Sequence, residues 1–227
     1  MPAPLLTTKL YVPPVRPELV ARPRLIERLD AGLGGKLTRV SAPAGFGKTT
    51  LVAEWLHGVE RPCTWLSLDS GDNDPVRFLT HLFAALQKVD ERIGQAALSL
   101  LGAPKLPTIE SLATLLINDI TATPQPFVLV LDDYHAIHAE WIHEVVEFLI
   151  VHQPPQLHLV LATRQDPPLP LPRLRVRGLV MEIHEHDLRF TEDEVGDLLN
   201  QALGLDLDTK IITALGARTE GWIAGLQ

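Results

Sequence analysis

Positions 41–50 carry the residue types that bind a polyphosphate, in the order Ser-Ala-Pro-Ala-Gly-Phe-Gly-Lys-Thr-Thr. Glycines allow consecutive backbone N–H groups to turn towards an anion. The ammonium group of Lys48 is expected near the β- and γ-phosphates, and the hydroxyl of Thr49 is expected to bind Mg²⁺. The predicted nucleotide-binding residues of this P-loop are Ala44, Gly45, Phe46, Gly47, Lys48, Thr49 and Thr50.

The residues on either side of the loop provide the context that a P-loop needs. Residues 37–40 can form a short buried strand, and residues 50–57 have the apolar spacing of a helix. The N-terminal dipole of that helix would favour bound phosphates. Ala42 replaces the usual first glycine, at the end of the loop that needs the least conformational freedom. The alternative is a chance Gly-Lys-Thr sequence in an ordinary turn.

A pair of acids follows a continuous apolar segment. Residues 127–131 are all apolar, which is typical of a central parallel strand with both faces covered. Asp132 and Asp133 then lie at the carboxyl end of that strand, where α/β sheets bind their ligands. We predict that Asp132 holds Mg²⁺ and that Asp133 orients or activates the attacking water. The alternative for either acid is a solvated strand end or a helix N-cap.

Another strand is predicted at residues 157–162 and is followed by Thr163 and Arg164. An arginine just past the carboxyl end of a strand beside the acidic strand can reach a γ-phosphate. It could therefore sense whether the bound nucleotide is a di- or a triphosphate, and the alternative is a surface arginine. The predicted catalytic residues are Lys48, Asp133 and Arg164.

The composition of the 227-residue chain limits its classes of partner. A formal net charge of −8 gives the chain as a whole no basic footprint for DNA or RNA. Cys63 is the only cysteine, so a disulfide within the chain is impossible and a cytoplasmic location is the simplest interpretation. The N-terminus lacks the pattern of a signal peptide, and no apolar run approaches the ~20 residues of a membrane span.

Predicted strands and helices alternate along the chain, which indicates a parallel, right-handed α/β sheet. One strand lies in sequence between the P-loop strand and the acidic strand. This suits the class of P-loop NTPases in which a further strand separates those two in the sheet. Residues 1–24 and 166–174 are proline-rich, and we expect residues 1–24 to be extended. The predicted strands lie at residues 37–41, 64–68, 127–131, 157–162 and 180–183.

The character of the sequence changes near residue 188. Thr191 and Glu194 form a capping-box pattern, and the apolar residues that follow have helical spacing. We therefore expect a P-loop nucleotide-binding domain over residues 1–187. Residues 188–227 are expected to be the beginning of a helical subdomain that is cut short.

Several segments match motifs of one family; they lie at residues 8–14, 19–22, 41–50, 132–135, 163–164, 187–191 and 219–222. On these segments the sequence resembles the N-terminal nucleotide-binding part of MalT-like, LuxR-family regulators, within the STAND class of signal-transduction ATPases. Ala42 is usual in that family. The resemblance implies a three-layer P-loop sandwich of the ASCE, or RecA-like, type.

The resemblance also implies a switch and not a metabolic enzyme. Such proteins rest with ADP bound, and inducer and ATP open them for self-association, with slow Mg²⁺-dependent ATP hydrolysis. DNA would be bound only through a domain outside this chain. Val20 and Arg22 would frame the adenine or the ribose, although a surface charge beside Pro23 is the alternative for Arg22. Ile223 stands where related domains carry a proline.

Two other classes of function stay open. A stand-alone P-loop enzyme, such as a kinase or motor ATPase, would need a lid or a substrate pocket, and the sequence shows no separate acceptor-site signature. A nucleotide-dependent interaction module would bind nucleotide without hydrolysing it. Single-turnover assays separate that module from the switch.

Overall fold

The computed structural model describes residues 5–15, 19–101 and 108–226. In this part of the chain, five parallel strands form one sheet in the order β2-β3-β4-β1-β5. The strands are β1 (Leu37–Ser41), β2 (Cys63–Ser67), β3 (Phe127–Asp132), β4 (Leu157–Thr163) and β5 (Val180–His184). The predicted parallel α/β sheet is confirmed.

The order of the strands brings the P-loop and the acidic pair close together at the carboxyl end of the sheet. β4 lies between β1 and β3 and pairs with both, with Val40 opposite Ala162 and Leu129 opposite Leu159. The expected separation of the P-loop strand from the acidic strand is therefore present. The separating strand is β4, whereas β2, which lies between them in sequence, forms the edge of the sheet beside β3.

Helices cover both faces of the sheet, which makes three layers. Along β3, Phe127, Leu129 and Leu131 pack into one apolar cluster, and the alternating Val128 and Val130 pack into the other. Every residue of β3 and of β4 is buried, as expected for strands covered on both sides. None of the described helices is long and apolar enough to cross a membrane.

Most helices begin where the sequence places a helix start. Lys48 follows the last glycine of the P-loop, the Asp74 carboxylate caps the helix that begins at Pro75, and Thr191 and Glu194 form the predicted capping box. The helices are α1 (Pro23–Gly32), α2 (Lys48–Gly58), α3 (Pro75–Leu86), α4 (Gln95–Leu101), α5 (Ile109–Thr121), α6 (Glu140–His152), α7 (Leu171–Val176), α8 (Glu185–Leu188), α9 (Glu192–Gly196) and α10 (Thr209–Thr219). A π-helical turn at Asp197–Ala202 continues α9.

The segment before α1 is not extended throughout, contrary to the prediction for residues 1–24. Thr7–Leu10 forms a turn of 3₁₀-helix. The buried Lys9 ammonium group pairs with Asp72, and Asp72 also lies 3.1 Å from His81 Nδ1. These contacts attach the segment to the turn before α3, which carries Asp72, and to His81 on α3. Residues 1–4 and 16–18 of the predicted extended stretch lie outside the described residues.

Candidate functional site

The loop between β1 and α2 has the backbone conformation of an anion-binding loop. Gly45 has φ 81° and Gly47 has φ 74°, which are left-handed values that glycine adopts without strain. The side chain of Lys48 is buried and its Nζ donates to the carbonyl of Pro43 at 2.9 Å. The loop thus wraps around its own lysine, at the N-terminus of α2.

The loop meets the acidic strand through one hydroxyl and one carboxylate. Thr49 Oγ1 lies 3.1 and 3.0 Å from the two carboxylate oxygens of Asp132, and the backbone N–H of Asp133 donates to Asp132 Oδ1 at 2.9 Å. Burial raises the pKa of Asp132 to about 6, and the charge of Asp133 adds to this shift. Hydroxyl and carboxylate oxygens are ligands that suit Mg²⁺.

Further metal ligands would have to come from a nucleotide or from water. Among the residues that the structure describes, no group of three or more His, Cys, Asp or Glu side chains could hold a metal ion. Mg²⁺ usually keeps several waters and is held by one or two protein side chains together with substrate phosphates. The pair formed by Thr49 and Asp132 fits that mode of binding.

The three residues predicted to be catalytic lie around this pair. Asp133 has left-handed backbone angles, φ 53° and ψ 36°, and its half-exposed carboxylate lies 3.8 Å from His135 Nδ1. Arg164 is exposed just beyond β4. Burial, followed by the charge of Arg164, lowers the pKa of Lys48 and also that of His135. Lys48, Asp133 and Arg164 are therefore electrostatic neighbours.

A pocket of about 250 Å³ opens beside the loop. The glycines of the P-loop form part of its wall, together with Val20 and Arg22, the two residues predicted to frame a nucleoside. Thr50, Leu51 and Glu54 contribute one face of α2 to the same pocket. The structure thus brings residues of two predicted nucleotide-contacting segments, 20–22 and 44–50, to one cavity.

Arg22 is not a surface charge beside Pro23. Its side chain is buried and donates to the carbonyl of Leu188 at 2.7 Å, and its guanidinium lies 3.4 Å from the Glu194 carboxylate. The guanidinium also lies 4.7 Å from the ring centre of Phe190. Burial lowers the pKa of Arg22. Arg22 therefore joins the segment before α1 to the segment after β5, and forms a wall of the pocket.

The sequence analysis missed the arginine that completes this junction. Arg24 binds both carboxylate oxygens of Glu194, at 2.9 and 3.0 Å, and donates to the carbonyl of Asp187 at 2.7 Å. Glu194 thus accepts from the backbone N–H of Thr191, the N-cap of α9, in the capping box. It also pairs with two arginines, Arg24 in α1 and Arg22 at the N-cap of α1. Only the capping-box role had a local sequence signal.

The residues after α10 cover the P-loop. Trp222 Nε1 donates to the carbonyl of Ala44 at 3.3 Å, and the N–H of Ala224 donates to the carbonyl of Gly45 at 3.2 Å. The ring of Trp222 lies 6.5 Å from that of Phe46. The segment 219–222, which matches the family motif in the sequence, is therefore a direct neighbour of the P-loop.

Known proteins resemble the chain both in sequence and in fold. The HTH-type transcriptional regulator MalT of Serratia proteamaculans is 36% identical over 223 residues, which is 98% of this chain and 25% of that protein. The regulator of the same name from Vibrio cholerae is 35% identical over 209 residues, 92% of this chain and 23% of that protein. The chain thus spans about a quarter of the length of these curated relatives. No protein-family model matches it.

Solved structures support the fold. A STAND protein with a tetratricopeptide repeat sensor from Pyrococcus horikoshii has a TM-score of 0.67 at 16% identity, over 92% of this chain and 29% of that one. A Walker-type ATPase of Pyrococcus abyssi has a TM-score of 0.60 at 17% identity, over 93% and 67% of the two chains. Over nearly its whole length the chain is similar in sequence to the MalT regulators, and it has the P-loop ATPase fold that the STAND protein also has.

Proposed function

We propose that this chain is the nucleotide-binding module of a signal-responsive transcription activator, and that it binds ATP or ADP with Mg²⁺. The observation that carries the proposal is the contact of Thr49 with Asp132, at 3.0 and 3.1 Å, directly behind the P-loop. It unites a metal-binding hydroxyl, a buried carboxylate and an anion-binding loop in one place. The 98% coverage of this chain by the MalT relative supports the regulatory context.

Each residue of the site has a distinct part in the proposed binding. The backbone N–H groups of Gly45 and Gly47 would surround the phosphates, and Lys48 would exchange its contact with the Pro43 carbonyl for phosphate oxygens. Thr49 and Asp132 would hold Mg²⁺, which would neutralise part of the phosphate charge when bound. Arg164 would contact only the γ-phosphate, and so would distinguish ATP from ADP.

Hydrolysis is proposed to be slow. The candidate for orienting the attacking water is Asp133, whose carboxylate is half-exposed and whose side chain is shorter than that of a glutamate. Because bulk water also hydrogen-bonds to an exposed carboxylate, Asp133 would position the attacking water less firmly. A slow reaction suits a switch, in which the identity of the bound nucleotide carries the information.

The switch is proposed to act between two units, residues 1–187 and 188–227. The second unit contacts the P-loop through Trp222 and holds the pocket wall through Glu194. A change of nucleotide at the loop would therefore alter the position of this unit. We also propose that the ATP-bound form self-associates in the cytoplasm, and that DNA is bound only through a domain outside this chain.

Calorimetry with Lys48→Ala tests the proposal. We expect the wild-type chain to bind MgADP and MgATP and the variant to bind neither, because Lys48 serves the phosphates and not the core. Lys210→Ala, on the exposed surface of α10, is the control and should bind like the wild type. Circular dichroism should show the wild-type fold in both variants. Tight ATP binding by folded Lys48→Ala would refute the P-loop assignment.

Two further measurements separate the rival functions. Mass spectrometry of the nucleotide that copurifies with the chain identifies the bound species. Single-turnover hydrolysis then distinguishes the switch from a nucleotide-dependent interaction module, which would leave bound ATP intact. Fast multiple turnover would instead indicate a stand-alone ATPase.

A further inference from the structure

The pocket beside the P-loop contains one carboxylate that the folded chain does not use. Glu54 lies on α2, is half-buried, and lines the pocket. No hydrogen bond recorded among the described residues involves its side chain, whereas the other acids near the pocket are paired. Asp132 accepts from Thr49, and Glu194 accepts from Arg24. Glu54 is thus an acceptor with free capacity.

The nearby cation does not satisfy Glu54. Arg22 lines the same pocket and its charge lowers the pKa of Glu54, while burial, the larger effect, raises it. The guanidinium of Arg22 is directed instead at the Leu188 carbonyl, 2.7 Å away, and at Glu194, 3.4 Å away. A carboxylate that is partly removed from water gains from a donor supplied by a ligand.

The position of Glu54 along α2 indicates which part of a nucleotide it would meet. Helix residues four apart lie on one face, so Thr50 and Glu54 face the same pocket one turn apart. Lys48 begins the helix, at the phosphate end, and Glu54 lies roughly 9 Å further along the axis at 1.5 Å per residue. A nucleotide with its phosphates at the loop would extend its nucleoside along this face, with the base furthest from the loop.

The rest of the pocket suits a flat aromatic base. Val20, Leu51, Phe190 and Leu198 supply apolar walls. Binding pockets commonly combine such walls with a few polar groups that fix orientation and specificity. Glu54 is the one acid among the residues that line this pocket in the described part of the chain. It therefore supplies the acceptor for an N–H donor at the edge of a base.

We propose that Glu54 determines base specificity, by accepting a hydrogen bond from the exocyclic amino group of adenine. This inference rests on the proposed nucleotide binding and assigns the residue that recognises the base. Adenine presents an amino donor where guanine presents a carbonyl oxygen. A carboxylate at that place attracts the first and repels the second. Glu54 is thus a specificity residue and takes no part in contacts with phosphate or metal.

Binding of two triphosphates in the presence of Mg²⁺ tests this proposal. The ligands are ATP and purine riboside triphosphate, which differ only in the exocyclic amino group. We expect the wild-type chain to bind ATP about tenfold or more tightly than the analogue, as for a hydrogen bond to a charged group. Glu54→Leu should bind both alike. Glu54→Gln keeps an acceptor without the charge, so it should retain a reduced preference and preserve the shape of the side chain.

The controls separate the possible failures. Glu60→Leu, on the exposed turn after α2, should keep the wild-type preference. A preference unchanged in both Glu54 variants would overturn the inference. The inference would also be overturned if Glu54→Leu lost only the preference for ATP over 2′-deoxy-ATP. That result would mean that Glu54 contacts the ribose and not the base. A wild-type chain that binds neither triphosphate would refute the proposed function itself, whereas equal binding of both refutes only the role of Glu54.

Discussion

The hydroxyl of Thr49 lies 3.1 and 3.0 Å from the two carboxylate oxygens of Asp132. The two residues meet although β4 lies between β1, the strand before the P-loop, and β3, which ends at Asp132. The contact is possible because the P-loop and α2 reach across the carboxyl end of β4. It supplies the buried carboxylate with a donor, and the N–H of Asp133 supplies another at 2.9 Å. These donors compensate only part of the lost hydration, since the pKa of Asp132 is still raised to about 6.

Asp132→Asn should therefore stabilise the nucleotide-free protein at neutral and alkaline pH. The folded-state pKa of about 6 exceeds the ordinary value of 3.8, so folding favours the protonated carboxyl. Below the ordinary pKa the protonated carboxyl contributes its full stability to the folded state. That contribution is lost as the pH rises through the folded-state pKa and the buried carboxyl ionises. The pKa difference of about 2 between the unfolded and the folded state corresponds to about 3 kcal/mol in the free energy of unfolding. Urea denaturation should show the gain near pH 8 and little gain near pH 4.

The same variant should lose function. Mg²⁺-dependent nucleotide binding should weaken, because an amide carries no charge for the metal. Asp193→Asn, on the exposed first turn of α9, is the control and should change stability by no more than about 0.5 kcal/mol at either pH. An Asp132→Asn gain that does not depend on pH would contradict the assigned cause.

Arg164→Ala should reduce the preference for ATP over ADP. A guanidinium that contacts only the γ-phosphate contributes nothing to ADP binding. A charge-assisted hydrogen bond contributes about 1.5–3 kcal/mol, which corresponds to roughly a tenfold or larger change in affinity for ATP. Calorimetry with both nucleotides measures the ratio. Arg173→Ala, on the exposed side of α7, should leave it unchanged. An equal loss for ATP and ADP would place Arg164 elsewhere in the site.

Asp133→Asn should slow hydrolysis more than it weakens ATP binding. Asparagine tolerates the left-handed backbone at this position, φ 53°, so the loop should keep its shape. The amide oxygen is a much weaker base than the carboxylate, so the attacking water loses its activation. Single-turnover assays and calorimetry on the same sample separate the two effects. Hydrolysis at the wild-type rate would exclude Asp133 as the base.

Local patterns were sufficient to predict the strands and the P-loop. The apolar run of β3 and the Gly-x-Gly-Lys-Thr sequence each identify an element from adjacent residues. The helix α7 was missed because its segment was interpreted only as proline-rich. Proline is tolerated in the first turn of a helix, which is where Pro172 lies.

Contacts between distant residues could not be predicted from one sequence. Arg22 was assigned either to a nucleoside or to the surface, and its burial depends on Leu188 and Glu194, which lie far along the chain. Trp222 lies in the segment 219–222 that matches the family, but nothing local indicates its hydrogen bond to Ala44. The strand order that places β4 between β1 and β3 is likewise a property of the packed sheet.

Two glycines near the end of the chain should respond to alanine with opposite signs. Gly221 has φ 70°, and a Cβ there would lie 2.6 Å from the carbonyl oxygen of Phe190. Gly221→Ala should therefore separate the Trp222 segment from Phe190, at a cost of about 1–2 kcal/mol for the left-handed backbone alone. Gly216 lies within α10, and a Cβ there would lie 3.7 Å from the Val195 side chain, an ordinary contact. Gly216→Ala should stabilise α10 by up to about 1 kcal/mol.

Hydrogen exchange and nucleotide-binding affinity should both differ between Gly221→Ala and Gly216→Ala. In Gly221→Ala, we expect amides of α9 and α10 to exchange faster while those of β1, β3 and β4 keep their protection. If the Trp222 segment closes the nucleotide pocket, the same variant should bind MgATP and MgADP more weakly, and Gly216→Ala should bind them as the wild type does. Weaker local protection with unchanged affinity for both nucleotides would show that the segment packs on the P-loop without contributing to the site.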